Sequence, residues 1–260
     1  MSYLKINYFF IFFIGTITHC LNGCCAFVLS DTPDTPIDPE WIAHRVAPTQ
    51  SLWNKKIKRV IIEIDRVDNR RPHSNSLKIL KKVLLDHLPH VEDVDIRYDK
   101  PISIKEYESF FCDGKLNIEK LAKQHQNFQI ARNEYLIYLL ATPHFSNERA
   151  GMFTQLGNNK AMIVLDKKNI QHYAVLYLSE KSAEARVLMH EAGHALGLCH
   201  NPSHCLEIGG GHCTNPWCCM YPRDFNYRFI LCNLWPAIIG RVNKDFCSEC
   251  KNDLKKYNTK

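Results

Sequence analysis

The sequence has 260 residues, of which 45% are hydrophobic and 23% are charged, so the chain is long and apolar enough to bury one core. The formal net charge of +6 is modest and is not gathered in one block, which argues against a nucleic-acid-binding protein. Eight of the 12 cysteines follow Leu198 and crowd the last third of the chain, which indicates disulfides or bound metal there.

The first 26 residues have the pattern of an export signal. A short start containing Lys5 is followed by an apolar run and by small residues ending at Ala26. We therefore expect residues 1–26 to be a signal peptide and the protein to be secreted or otherwise exported. Two alternatives involve a membrane: the uncharged stretch could stay uncleaved as an anchor, and Leu21-Asn22-Gly23-Cys24 resembles a bacterial lipoprotein cleavage box. A buried core strand is the remaining interpretation.

Residues 27–56 are rich in proline and acidic residues, which predicts an extended linker or an arm. Trp41 and Trp53 are the side chains in this segment that could anchor it to a folded body. We expect the folded domain to occupy residues 57–260.

Apolar runs and helical spacings alternate through the first half of this domain. Strands are predicted at residues 57–67, 91–98, 135–141 and 161–165, and helices at residues 74–88 and 117–126. This alternation predicts an α/β fold with a mixed, mostly parallel sheet.

Residues 190–200 read HEAGHALGLCH. On a helix, His190 and His194 lie on one face and suit two ligands of a single metal ion. Gly197 allows a sharp turn that would return His200 as a third ligand. Three protein ligands leave one position open for water, which is the arrangement of catalytic zinc. Glu191 is then the candidate general base.

The residues before the motif favour a stable helix. Ser179 or Ser182 could cap its N-terminus, and alanine and leucine residues follow. Ligands on such a rigid element hold their geometry better than ligands on loops.

The longer spacing H-E-x-x-H-x-x-G-x-x-H, with Met220 about twenty residues further on, resembles the metzincin clan of zinc peptidases. The spacing Cys213-x4-Cys218-x-Met220, followed by Cys247-x-x-Cys250, is similar to that of the archaemetzincin family within this clan. The resemblance implies a metzincin-like catalytic domain with an antiparallel edge strand, which binds a substrate peptide, and a cysteine-rich C-terminal lobe. It further implies that Met220 lies beneath the histidines and that the four cysteines bind a second, structural zinc.

The sequence departs from the family in one informative place. In the family the first cysteine directly follows the third histidine, whereas here residues 201–212 separate His200 from Cys213. His212-Cys213 repeats the histidine-cysteine pair, so His212 is a minor rival to His200 for the third position. The edge strand is also ambiguous, because residues 151–155 and residues 161–164 both fit it.

The cysteine-rich lobe, residues 199–250, allows a second interpretation, since an even number of cysteines in an exported chain often forms disulfides. Cys199, Cys205, Cys219 and Cys232 have no counterpart in the family pattern and could pair with one another.

The most specific prediction is a zinc metallopeptidase that hydrolyses a peptide or protein substrate. The alternatives are a zinc-binding module that has lost catalysis and a secreted, disulfide-rich interaction protein. Glu191 argues against the inactive module, because a metal site without catalysis has no chemical need for a carboxylate beside it.

Overall fold

The protein is described by a computed structural model that covers residues 52–145, 149–177, 179–198, 211–215, 218–221 and 245–258. The predicted signal peptide and most of the predicted linker lie outside these residues, as does His200. Within them, no helix has the length and apolar character needed to cross a membrane.

The main sheet has five strands in the spatial order β2-β1-β5-β7-β6. These strands are β1 Arg59–Arg66, β2 Asp93–Tyr98, β5 Glu134–Thr142, β6 Gly151–Gly157 and β7 Lys160–Asp166. All neighbours pair in parallel except β6, which pairs antiparallel with β7 at the edge. The mostly parallel sheet with an antiparallel edge strand, and thus the α/β fold class, is confirmed.

Helices and a small hairpin connect and cover the strands. The helices are α1 Ser74–His87, α2 Ile104–Glu108, α3 Ile118–His125, α4 Lys167–Tyr177, α5 Glu180–Ala195 and α6 Ser248–Asn258. The hairpin pairs β3 Phe111–Cys112 with β4 Lys115–Leu116. Helices α2, α4 and α6 and the hairpin were not among the elements predicted from periodicity.

The side chains of the central strands alternate between two apolar layers. On one face Val60, Ile62 and Ile64 are fully buried in a cluster that also contains side chains of α1 and α5. On the other face Tyr138 and Leu140 pack in a cluster with side chains from α2 and α3. Burial on both faces is the usual state of a parallel sheet, and it fixes α5 against one side.

The ambiguity about the edge strand is resolved by the pairing. β7 lies between β5 and β6 and is almost entirely buried, whereas every residue of β6 is partly or fully exposed. Among the described strands, β6 is therefore the edge strand on this side of the sheet, and residues 161–164 belong to the sheet interior.

Trp53 joins the start of the described chain to the end of α5. Its indole N–H donates to the backbone oxygen of Leu196 at 2.9 Å, and the neighbouring Leu52 is fully buried. Of the two tryptophans considered as anchors, Trp53 has this role, and Trp41 lies outside the described residues.

Candidate metal centres

Helix α5 carries the first two histidines, as predicted from their spacing. Its N-terminus is capped by Ser179, whose side chain accepts a hydrogen bond from the backbone N–H of Ser182 at 3.1 Å. The Nε2 atoms of His190 and His194 are 3.1 Å apart. Two nitrogens bound to one tetrahedral zinc at about 2.0–2.1 Å lie about 3.3 Å apart, so this spacing fits a shared ion.

The third imidazole in this cluster belongs to His212. Its ring centroid lies 5.2 Å from that of His190 and 5.2 Å from that of His194. The ligand nitrogens of the three residues all lie within 4.8 Å of one another. The position that the sequence interpretation gave to His200 is thus occupied by its minor rival, and His200 itself lies outside the described residues.

His190 is prepared for metal binding by its second nitrogen. Nδ1 lies 2.9 Å from the backbone oxygen of Cys219, to which it donates when Nε2 is the unprotonated atom directed at the other imidazoles. Burial lowers the pKa of His190 to about 3, and the charge that His212 can carry lowers it as well. The imidazole is therefore neutral at ordinary pH, as a ligand must be.

Glu191 follows His190 on α5 and is nearly inaccessible, with 5% of its surface exposed. Burial raises its pKa to about 8, and the positive charge of Arg149 acts in the opposite direction. A divalent cation at the three nitrogens would also favour the carboxylate form. Edge strand β6 approaches closely here, since a Cβ atom added to Gly151 would lie 2.6 Å from Glu191 Oε1.

Met220 and Phe153 enclose the histidines. A Cβ atom added to Gly193, between the two helical histidines, would lie 2.1 Å from Met220 Sδ, so the fully buried methionine packs directly under the helix backbone. This is the position beneath the histidines that the resemblance implied. The ring of Phe153, on β6, stacks on His194 with 6.4 Å between the centroids. Phe153 and Arg149 were not identified from the sequence.

Four cysteines form a second cluster. The sulfur atoms of Cys213, Cys218, Cys247 and Cys250 all lie within 4.8 Å of one another. Cys213 and Cys247 are 3.7 Å apart, and Cys218 and Cys250 are 3.6 Å apart. Tetrahedral zinc with Zn–S bonds of about 2.3 Å separates its sulfurs by about 3.8 Å, whereas a disulfide bond is about 2.05 Å long.

Backbone amides support the metal interpretation of this cluster. The N–H groups of Met220 and Cys247 donate to Cys218 Sγ at 3.4 and 3.3 Å, and that of Asn215 donates to Cys213 Sγ at 3.4 Å. Sulfurs that accept such bonds suit thiolates better than thiols. The structure thus brings together the four cysteines that the sequence predicted as ligands, with sulfur separations longer than a disulfide bond.

The cysteines without a family counterpart divide into two groups. Cys219 is fully buried, and its thiol donates to the backbone oxygen of Arg186 at 3.6 Å. Burial raises the pKa of Cys219 to about 11, so it stays protonated. The possible disulfides of Cys199, Cys205 and Cys232 fall outside the described residues.

A third group of metal-ligand side chains is already paired with a lysine. His73, Glu180 and Glu184 lie within ligand distance of one another. The ammonium of Lys167 is 2.7 Å from Glu180 Oε1 and 2.5 Å from Glu184 Oε2. This buried ion pair links the starts of α4 and α5, and we assign it a structural role.

No family model and no curated protein matches this sequence. Among solved structures, the chain is similar to an archaemetzincin from Methanopyrus kandleri, with 16% sequence identity and a TM-score of 0.44. The match covers 80% of this chain and 98% of that one. At this identity, the roles of individual residues depend on the geometry of this chain itself.

Proposed function

We propose that the protein is a zinc-dependent peptidase whose catalytic zinc is held by His190, His194 and His212. The observation that supports this most directly is the convergence of three imidazoles, two of them on the helix that also carries the buried Glu191. Three nitrogen ligands would leave one coordination position free for water, and a carboxylate that reaches this water would be the general base that peptide hydrolysis needs. His212 replaces His200 in this proposal because of its distances to the two helical histidines.

When bound, the zinc would supply Lewis acidity and lower the pKa of a water molecule to about 7. Glu191 accepts the proton of the attacking water and delivers it to the leaving amine. His190, kept neutral by burial and oriented by Cys219, holds its nitrogen toward the ion. Met220 packs beneath the imidazoles as an apolar floor and takes no part as a ligand.

A peptide substrate would lie along the exposed edge of β6. Gly151 lies next to Glu191, and Phe153 stacks on His194. A peptide that added a strand at this edge would therefore pass beside the imidazole cluster. Strand addition supplies backbone hydrogen bonds that do not depend on the side chains of the substrate.

The four-cysteine cluster is the proposed site of a second zinc with a structural role. Its four sulfur ligands close the coordination sphere, so no position remains for water or substrate. Export through residues 1–26 remains a prediction from the sequence.

Glu191→Gln tests the assigned base. We expect kcat for an unfolded protein substrate to fall by about 10²–10⁴-fold, because the amide cannot accept the proton. Zinc content should stay unchanged, since Glu191 is not a ligand. Unchanged cleavage by the zinc-loaded Glu191→Gln variant would remove Glu191 from the mechanism. A wild-type chain that binds zinc but cleaves no peptide would favour the inactive zinc-binding module.

A further inference from the structure

The two ligand clusters share backbone at two places. His212 of the histidine cluster directly precedes Cys213 of the cysteine cluster. Cys213 N–H donates to the backbone oxygen of Met220 at 2.8 Å, and Met220 packs under the histidine-bearing helix. The segments 211–215 and 218–221 therefore belong to both sites at once.

Two residues on one face of α5 form hydrogen bonds with the backbone of the segment that contains Cys218. Arg186, His190 and His194 recur every four residues and so lie along one side of the helix. The buried guanidinium of Arg186 donates to the backbone oxygen of Cys218 at 2.8 Å, and His190 Nδ1 lies 2.9 Å from that of Cys219. The orientation of His190 thus depends on where the chain at Cys218 is held.

The cysteine sulfurs connect the segments 211–215 and 218–221, which have little regular secondary structure, to the rest of the fold. Within 211–215 and 218–221 the described backbone forms turns and an isolated bridge, so regular secondary structure does not fix them. Their sulfurs instead meet those of Cys247 and Cys250, which lie at the start of α6. The cysteine cluster therefore connects these turns to α6, in addition to their contacts with α5.

We propose that the four-cysteine cluster positions the histidine site, so that metal at the cysteines raises the affinity of the histidines for their own metal. Filling the cysteines fixes Cys213, and with it His212, and fixes the carbonyl that orients His190. This inference rests on the ligand assignment made for the proposed function and concerns the regulation of that site. Because coupling between two binding sites is reciprocal, metal at the histidines must raise the affinity of the cysteines by the same factor.

The test is a titration of the metal-free, reduced full-length chain with Co²⁺. Cobalt bound to thiolates gives charge-transfer absorption, whereas cobalt bound to imidazoles gives ligand-field bands alone, so the two sites are followed separately. In Cys250→Ser we expect the histidine-site affinity to fall by about tenfold or more, the size of effect seen when supporting partners of a metal ligand are removed. Cys112→Ser, the same substitution on the exposed hairpin, is the matched control and should leave both affinities unchanged.

An unchanged histidine-site affinity in a folded Cys250→Ser chain overturns the proposal. Because Cys250 is buried, its substitution could also affect folding, so a second variant leaves all four cysteines intact. This variant is His194→Ala, which removes a ligand on helix α5. Reciprocity requires the cysteine-site affinity for Co²⁺ to fall in this variant, with far-ultraviolet circular dichroism unchanged. Equal cysteine-site affinity in wild type and His194→Ala overturns the coupling independently of the first variant.

These outcomes are separable from those of the peptidase proposal because no cleavage is measured. A chain that shows coupling but cleaves no substrate contradicts the proposed function and leaves the coupling in place. An active peptidase without coupling contradicts this inference alone.

Discussion

The two ligand clusters differ in how the chain brings their members together. His190 and His194 lie four residues apart on one helix, whereas His212 and the four cysteines come from short turns and from the start of a distant helix. The geometry of the helical pair is set by local backbone structure, as soon as α5 forms. The remaining ligands depend on chain closures that only the complete fold provides.

The largest effect is expected from removing the third ligand of the histidine site, which comes from a turn and not from helix α5. His212→Ala should lose the metal at the histidine site and lower kcat/KM by more than about a hundredfold, because even partners that only support a ligand account for 10–100-fold. His200→Ala is the matched control and should retain zinc and activity. Zinc analysis and peptide cleavage on both variants measure the difference.

The opposite result would reverse the assignment. If His200→Ala loses metal and His212→Ala keeps it, the ligand first favoured by the sequence is correct. All three ligands would then be close in sequence, because His200 comes three residues after Gly197, where the chain leaves the helix with a positive φ of 78°.

The difference between ligands on one helix and ligands from separate turns explains which parts of the site could be predicted from the sequence. The spacing of His190 and His194 encodes their geometry, and residue type limited the cap to Ser179 or Ser182. The choice between His200 and His212 depends on the path of residues 199–210, for which no periodic pattern exists. The signal that pointed correctly to the proximity of His212 was its direct neighbour Cys213.

The same distinction holds for the fold. The order of the long strands and of α1 and α3 followed from periodicity, because those apolar runs are long enough to identify their elements, whereas α2, α4, α6 and the hairpin were missed. The choice of edge strand was left open, since residues 151–155 and 161–164 both precede α5 and both fit a strand, and the pairing shows which one is enclosed. Arg186 was also missed, because a lone arginine in a helical pattern normally indicates an exposed face.

A smaller but decisive measurement concerns the cysteine cluster. We expect about two zinc ions per chain, one for each cluster, as the ligand sets imply. After unfolding with a chelator, at least the six cysteines within the described residues should react as thiols: Cys112, Cys213, Cys218, Cys219, Cys247 and Cys250.

Elemental analysis and a thiol titration on the same sample make this measurement. One zinc per chain, together with fewer reactive thiols than those six, would support the disulfide interpretation. The histidine cluster would then bind metal and the cysteine cluster would not. Cys112→Ser should remove one thiol and no zinc, which calibrates the titration.

The smallest expected effect lies at the contact between the helix and the turns. Gly193→Ala has two opposing consequences: alanine favours the helix by up to about 1 kcal/mol, but its Cβ atom would lie 2.1 Å from Met220 Sδ and 3.1 Å from a Phe246 ring carbon. Met220 is fully buried, so it has no adjacent solvent into which it could move. Overpacking of a dense core costs about 1–3 kcal/mol, which outweighs the helical gain. We therefore expect a net loss of about 1 kcal/mol in the free energy of unfolding, measured by denaturant titration of the zinc-loaded chain.

Gly157→Ala, where a Cβ atom meets nothing within 4 Å, should show no such loss. Equal stability of the two variants would mean that Met220 is not held against α5, and that the turns and the helix are less closely joined than their hydrogen bonds indicate.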